Sequence, residues 1–165
     1  MLALMTILAC APKAFPEDDL PNWEERPVVG TYGSEVEAVW DATLEVVGEI
    51  AELDVTDRAT GHITTQWIRD RSDTIYKTYG GTRIPESIRW RMTIDVRRLS
   101  GTTEVQIISQ EQVEKDLISA NLEFTGSIYK WLDVPSSMAK ERLLLEKILV
   151  VIDRKKSEYD YDYAR

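Results

Sequence analysis

Ile88-Arg-Trp90-Arg-Met92-Thr-Ile94-Asp-Val96-Arg-Arg-Leu-Ser100-Gly101-Thr102-Thr-Glu-Val105-Gln-Ile107-Ile-Ser109-Gln-Glu111-Gln-Val113 is the stretch that decides the fold. Ile88, Trp90, Met92, Ile94 and Val96 point one way while Arg89, Arg91, Thr93, Asp95 and Arg97 point the other, which is the two-residue period of a strand with one buried face. Ser100-Gly101-Thr102 then turns the chain into Val105, Ile107, Ser109, Glu111 and Val113 in the same period. That predicts an antiparallel hairpin. An earlier pair, Leu53-Asp-Val55-Thr-Asp57 and His62-Ile63-Thr-Thr65-Gln-Trp67, alternates around Arg58-Ala-Thr-Gly61 and reads as a second hairpin. Residues 70–87 lie between the two, with Tyr76, Tyr79, Gly80-Gly81 and Pro85, and read as a long, flexible connection of the kind that is often functional.

Outward from the strands the period changes to 3.6. Val36, Val39, Trp40, Thr43, Leu44, Val47 and Ile50 predict a helix from about 34 to 51 with one apolar side, opened by a capping box at Ser34-Glu-Val-Glu37. Glu35, Glu37, Asp41, Glu45, Glu49 and Glu52 cover its other side, a solvated surface. Pro135-Ser-Ser137 starts a last helix running to about Lys156. Met138, Leu144, Leu145, Ile148, Leu149, Val151 and Ile152 form a wide stripe with Leu143 and Val150 nearly opposite, so this helix is expected to be buried from more than one side. Residues 157–165, with their tyrosine-aspartate alternation, read as a polar tail.

Helix, hairpin, hairpin, helix is an α+β plan. It implies an antiparallel sheet of about four to six strands packed on one face by two helices, a single domain over residues 31–156. At 165 residues the chain is of single-domain size and buries roughly two thirds of its unfolded surface, enough for a core without disulfides. With 43% hydrophobic and 30% charged residues it is neither a disordered chain nor a multispan membrane protein. Twenty basic against 29 acidic residues leave a net charge of −9, which disfavours nucleic acid as a partner. One histidine, His62, and one cysteine, Cys10, do not make a zinc site or an internal disulfide, and no motif implies a metal or cofactor.

The first ten residues, Met1-Leu-Ala-Leu-Met-Thr-Ile-Leu-Ala-Cys10, are an apolar run too short to span a bilayer and of signal-peptide length. Ile7-Leu8-Ala9-Cys10 resembles a bacterial lipobox, which makes Cys10 the site of lipid attachment. No Lys or Arg precedes the run, so this reading expects a start codon upstream; the competing reading is a buried N-terminal strand. Residues 11–30 hold Pro12, Pro16, Pro21 and Pro27 among acidic residues and read as a tether, reaching on the order of 60 Å if extended. Under the enterobacterial sorting rule an aspartate after the lipidated cysteine retains a lipoprotein at the inner membrane; Ala11 in that place implies the outer membrane.

Val36-Glu-Ala-Val-Trp40 through Asp54-Val-Thr-Asp57-Arg58-Ala-Thr-Gly61-His-Ile63 carries a family resemblance. Over roughly residues 34–114 the chain is similar to the repeated domain of the NlpB/DapX (BamC-like) lipoproteins of the outer-membrane β-barrel assembly machinery. In that domain a tryptophan-bearing helix leads into a strand, an Asp-Arg-x-x-Gly turn and a returning strand. The resemblance implies a helix-grip-like fold and an accessory role in an envelope protein complex. Members carry two such domains and a long docking segment, whereas one domain and a short tether are read here, so no partner-contact residue is carried over.

Enzyme motifs are weak. Tyr79-Gly80-Gly81-Thr82 lacks the lysine and glycine spacing of a phosphate loop, and His62 beside a turn is a surface residue more readily than a base. The arginines are more informative: Arg69, Arg71, Arg83, Arg89, Arg91 and Arg97 concentrate mid-chain in an acidic protein. Arg89, Arg91 and Arg97 share one strand face and are the candidate partner-binding residues, either as a solvated face paired with local acids or as a docking patch for an acidic protein segment or lipid headgroups. The sequence thus leads to a non-catalytic, lipid-anchored envelope lipoprotein on the periplasmic side of the outer membrane, an accessory or scaffold subunit. Its alternative is a periplasmic carrier with a lipid or other hydrophobic ligand between helix and sheet.

Overall fold

A computed structural model describes residues 26–117 and 128–163. Cys10 and the tether up to residue 25 lie outside them. The elements run β1 (Val28–Tyr32), α1 (Val36–Ile50), β2 (Leu53–Asp57), β3 (His62–Thr65), β4 (Ile68–Tyr79), β5 (Thr82–Leu99), β6 (Thr102–Leu117), β7 (Ile128–Val134) and α2 (Ala139–Tyr163). All seven strands join one antiparallel sheet, with the two helices against it.

The β5–β6 hairpin is its spine. The partners run from Ile88 opposite Val113 to Leu99 opposite Thr102 without a register shift, and Gly101 takes the positive φ of the two-residue turn. β3 and β4 lie end to end along the free edge of β5, and β1 and β7 lie end to end along that of β6. β2 closes the β3 side. The inward residues of the spine, Trp90, Met92, Ile94, Val96, Val105 and Ile107, are buried with Val39, Trp40, Val46 and Val47 of α1 and Leu144, Ile148 and Ile152 of α2. Trp40 is 3% exposed, so the mid-stripe aromatic of α1 is a core residue.

Several expectations are corrected. Residues 70–87 are not a flexible connection: they form most of a long β4–β5 hairpin closed by Gly80 and Gly81, both at positive φ. Its apolar alternation is faint because Ile75 and Ile84 are only half-buried and because register shifts between Arg71 and Tyr76 break the period. The domain opens at Val28, within the stretch assigned to the tether, since the β-branched residues after Pro27 pair with β6. Gly30 lets α2 approach that strand: a Cβ there would lie 2.9 Å from Leu145 Cδ2. The tail assigned to 157–165 is helical to Tyr163, because α2 extends past Lys156. Arg154 and Lys155 of that helix bind Glu45 of α1, and their hydrogen bonds, that of Lys155 foremost, lower the Glu45 carboxyl pKa.

Two local readings also change. No side-chain hydrogen bond caps α1: its N-cap is Glu35, and Ser34 instead has its carbonyl held by the Thr103 hydroxyl at 2.7 Å. α2 is buried on one side only, leaving Leu143, Leu149 and Val150 exposed. Its start is fixed by polar groups, for Ser136 Oγ accepts from the Met138 N–H at 3.0 Å and donates to Glu141 Oε1 at 2.7 Å. The inward Glu111 carboxylate is neutralised by Lys140 at 2.8 Å, which is how an acid can occupy the core-facing side of β6. No helix among the described residues is long and apolar enough to cross a membrane.

Candidate functional site

Trp67 belongs by sequence to the inward row of β3, after Ile63 and Thr65, yet it lies on the opposite face of the sheet. Thr64 pairs with Thr93 but Ile68 pairs with Trp90, so four residues of one edge span three of β5. One extra residue reverses the alternation. The backbone N–H of Met92 is taken up by Thr65 Oγ1 at 2.9 Å, and Ile68 becomes the inward residue. Trp67 swings out over β5.

There it meets Arg89. The guanidinium carbon of Arg89 sits 4.5 Å from the Trp67 ring centroid and 4.5 Å from that of Trp131 on β7, so the cation is held between two indoles. Arg91 stacks on Trp67 at 4.9 Å. Such contacts are worth about 0.5 to 2 kcal/mol and, more to the point, fix the planes of otherwise mobile side chains. From the other side Gln112 and Gln110, the register partners of Arg89 and Arg91, accept their Nε–H groups at 2.7 and 3.0 Å. Both glutamines donate Nε2 to Asp133 Oδ1, at 2.8 Å from Gln112 and 3.2 Å from Gln110. The amides are thereby oriented with their oxygens toward the arginines.

Arg69 and Arg71 of β4 extend the same face, Arg69 directly opposite Arg89 and Arg71 opposite Ser87. Beside them a cleft of about 340 Å³ is lined by Arg69, Asp70, Arg71, Ser87, Glu114 and Trp131. Among the described residues Arg58, Arg97, Arg98 and Arg154 all pair with carboxylates, whereas Arg69, Arg71, Arg89 and Arg91 have none within 4.0 Å. Like charges directly opposite each other in a sheet are destabilising, and Arg69 facing Arg89 is such a pair.

Of the three candidate arginines, the structure brings Arg89 and Arg91 together and sets Arg97 apart. Arg97 is six residues from Arg91, about 20 Å along the strand, hydrogen-bonded to Gln106 at 2.7 Å and ion-paired with Glu104 at 3.6 Å. Trp131, Gln110 and Gln112 went unnoticed in the sequence, and Trp67 was read as an ordinary strand residue. The parity of Gln110 and Gln112 against Arg91 and Arg89 across the Gly101 turn was available as a signal; the bulge that turns Trp67 outward was not. His62 lies on this face nearer the Gly61 turn, its Nδ1 2.7 Å from Asp95 Oδ1.

A second cleft of about 370 Å³ lies by the β2–β3 turn, among Val36, Trp40, Arg58, Thr60, Val96 and Arg98. Here the Asp57-Arg58-Ala-Thr-Gly61 segment is structural. Asp57 accepts from the Thr60 hydroxyl at 2.8 Å and the Ala59 N–H at 2.9 Å, bonds that depress its pKa, and Arg58 pairs with Glu37 and Asp41 of α1. No protein-family model matches the chain, and no curated protein matches it.

Proposed function

We propose that this chain is a non-catalytic accessory or scaffold subunit of a bacterial envelope assembly, in the manner of the NlpB/DapX lipoproteins, held at the periplasmic face of the outer membrane by a lipid on Cys10. The observation that carries the reading is the outer sheet face: four arginines without carboxylate partners among the described residues, two of them held by Trp67, Trp131, Gln110 and Gln112. A solvated face has no reason to order its cations so fully, or to oppose Arg69 to Arg89. A docking surface does, because ordering side chains beforehand reduces the entropy lost on binding. The hydrophobic-carrier alternative calls for an apolar cavity between helix and sheet; both clefts described above lie elsewhere.

The reading has two parts and each is tested separately. Cys10→Ser is expected to leave the N-terminal segment unprocessed or to move the protein out of the membrane fraction; unchanged fractionation and no acyl mass shift on the wild-type chain would refute the anchor. Affinity purification from envelopes is expected to recover a protein complex, and native mass spectrometry of the purified chain showing a retained apolar small molecule instead would favour the carrier.

A further inference from the structure

The arrangement of Arg89 and Arg91 says more than that the face is basic. In the hydrogen bonds described, each guanidinium uses only Nε, toward Gln112 and Gln110 respectively. The remaining edge of each fork, Nη1 and Nη2, is the edge that receives a carboxylate through two parallel hydrogen bonds. With ring planes set by Trp67 and Trp131, the two forks are presented at a fixed spacing. Alternate residues on a strand lie about 6.6 to 6.8 Å apart.

Resting on the docking reading above, we propose that this face receives an extended acidic segment of a partner protein whose carboxylates recur at every second residue. An extended chain shows the same spacing on one of its faces as β5 does, so two successive carboxylates fall over Arg89 and Arg91 in register. Arg69 and Arg71 repeat that spacing on β4 and provide a second row. Charge complementarity selects the sign of the occupant, and Glu114 in the cleft beside Arg69 and Arg71, with Asp133 next to Gln112, selects its class. Fixed carboxylates within the basic patch repel a uniformly anionic lipid surface, whereas a peptide carries acids only where cations await them. The exposed indole edges supply apolar contact for the intervening residues.

The test uses the full chain and two fluorescein-labelled heptapeptides of identical composition, read by anisotropy at low salt. One has glutamates at its second, fourth and sixth positions separated by valines; the other has its three glutamates contiguous. The alternating peptide is expected to bind at least about threefold tighter, and Arg89→Gln with Arg91→Gln to weaken it at least about tenfold, the loss of charge-assisted bonds worth some 1.5 to 3 kcal/mol each. Arg97→Gln with Arg98→Gln, equal in charge removed, is expected to stay within about twofold. Equal binding of the two peptides, or equal losses in the two variants, overturns the proposal. So does capture by phosphatidylglycerol vesicles that Arg89 and Arg91 govern while neither peptide binds, and so does dimerisation of the chain through these residues. Failure of the peptides alongside loss of envelope partners in Arg89→Gln/Arg91→Gln overturns the acidic segment alone. Unchanged recovery of partners in that variant overturns the docking reading, and this inference with it.

Discussion

Gly61 shows how much one residue can decide. Its φ is 72°, its carbonyl accepts the Val96 N–H at 2.8 Å, and a Cβ added there would stand 2.0 Å from the Val96 carbonyl oxygen. Backbone atoms cannot yield as a flexible side chain can, so Gly61→Ala is expected to lose at least about 2 kcal/mol by chemical denaturation, from left-handed strain and the clash together. Tyr32 acts at the same scale through its hydroxyl, which donates to the Leu145 carbonyl at 2.9 Å and ties β1 to α2. Burial pushes its pKa from 10.0 up to about 12. The folded state therefore keeps the phenolic proton at pH values where the unfolded chain has released it, so this contribution is complete below pH 10 and is lost as pH rises toward 12. Denaturation midpoints should fall over that interval. In Tyr32→Phe the alkaline decline should be shallower although the variant starts from a lower stability, and an unchanged slope would assign the decline to other groups.

Among the elements, α1 was the most legible and β4 the least. Val39, Trp40, Thr43 and Val47 recur at helical spacing and are buried as that spacing requires. Because Trp40 fills the space between α1 and the spine hairpin, Trp40→Ala is expected to lose about 3 to 5 kcal/mol, seen as a large drop in melting temperature; a native-like melt would place α1 outside the core. β4 carries Arg69, Asp70, Arg71, Asp73 and Lys77, with two register breaks against its neighbours. An edge strand so charged resists pairing with other chains, and the same charges erase the alternation by which strands are read. α2 misleads in the opposite direction. Its Leu143, Leu149 and Val150 widen the apolar stripe in sequence, yet the sheet and α1 cover only the side that carries Leu144, Ile148 and Ile152.

For the molecule as a whole, stability and recognition lie on opposite faces of one sheet. The inward face carries the core; the outward face carries Arg89, Arg91 and the cations of β4. Replacing Arg89, Arg91 and Arg97 together by glutamine is therefore expected to shift melting only slightly, since exposed charge interactions contribute at most about 1 kcal/mol each, while recovery of envelope partners falls sharply. A variant that melts early would instead make the arginine–tryptophan stack part of the fold. The sequence by itself determined the α+β class, the spine hairpin with its two faces and the burial of Trp40, because each follows from a local period set by backbone geometry. It also placed Arg89 and Arg91 outward, for the same reason. What only the tertiary structure decided is how edges meet. The one-residue offset between β3 and β4, invisible to any local period, turns Trp67 outward, and the docking of β7 on β6 brings Trp131 to the other side of Arg89. Pairings between segments distant in the chain depend on which edge hydrogen bonds remain open once the spine has formed, and no window of sequence records that.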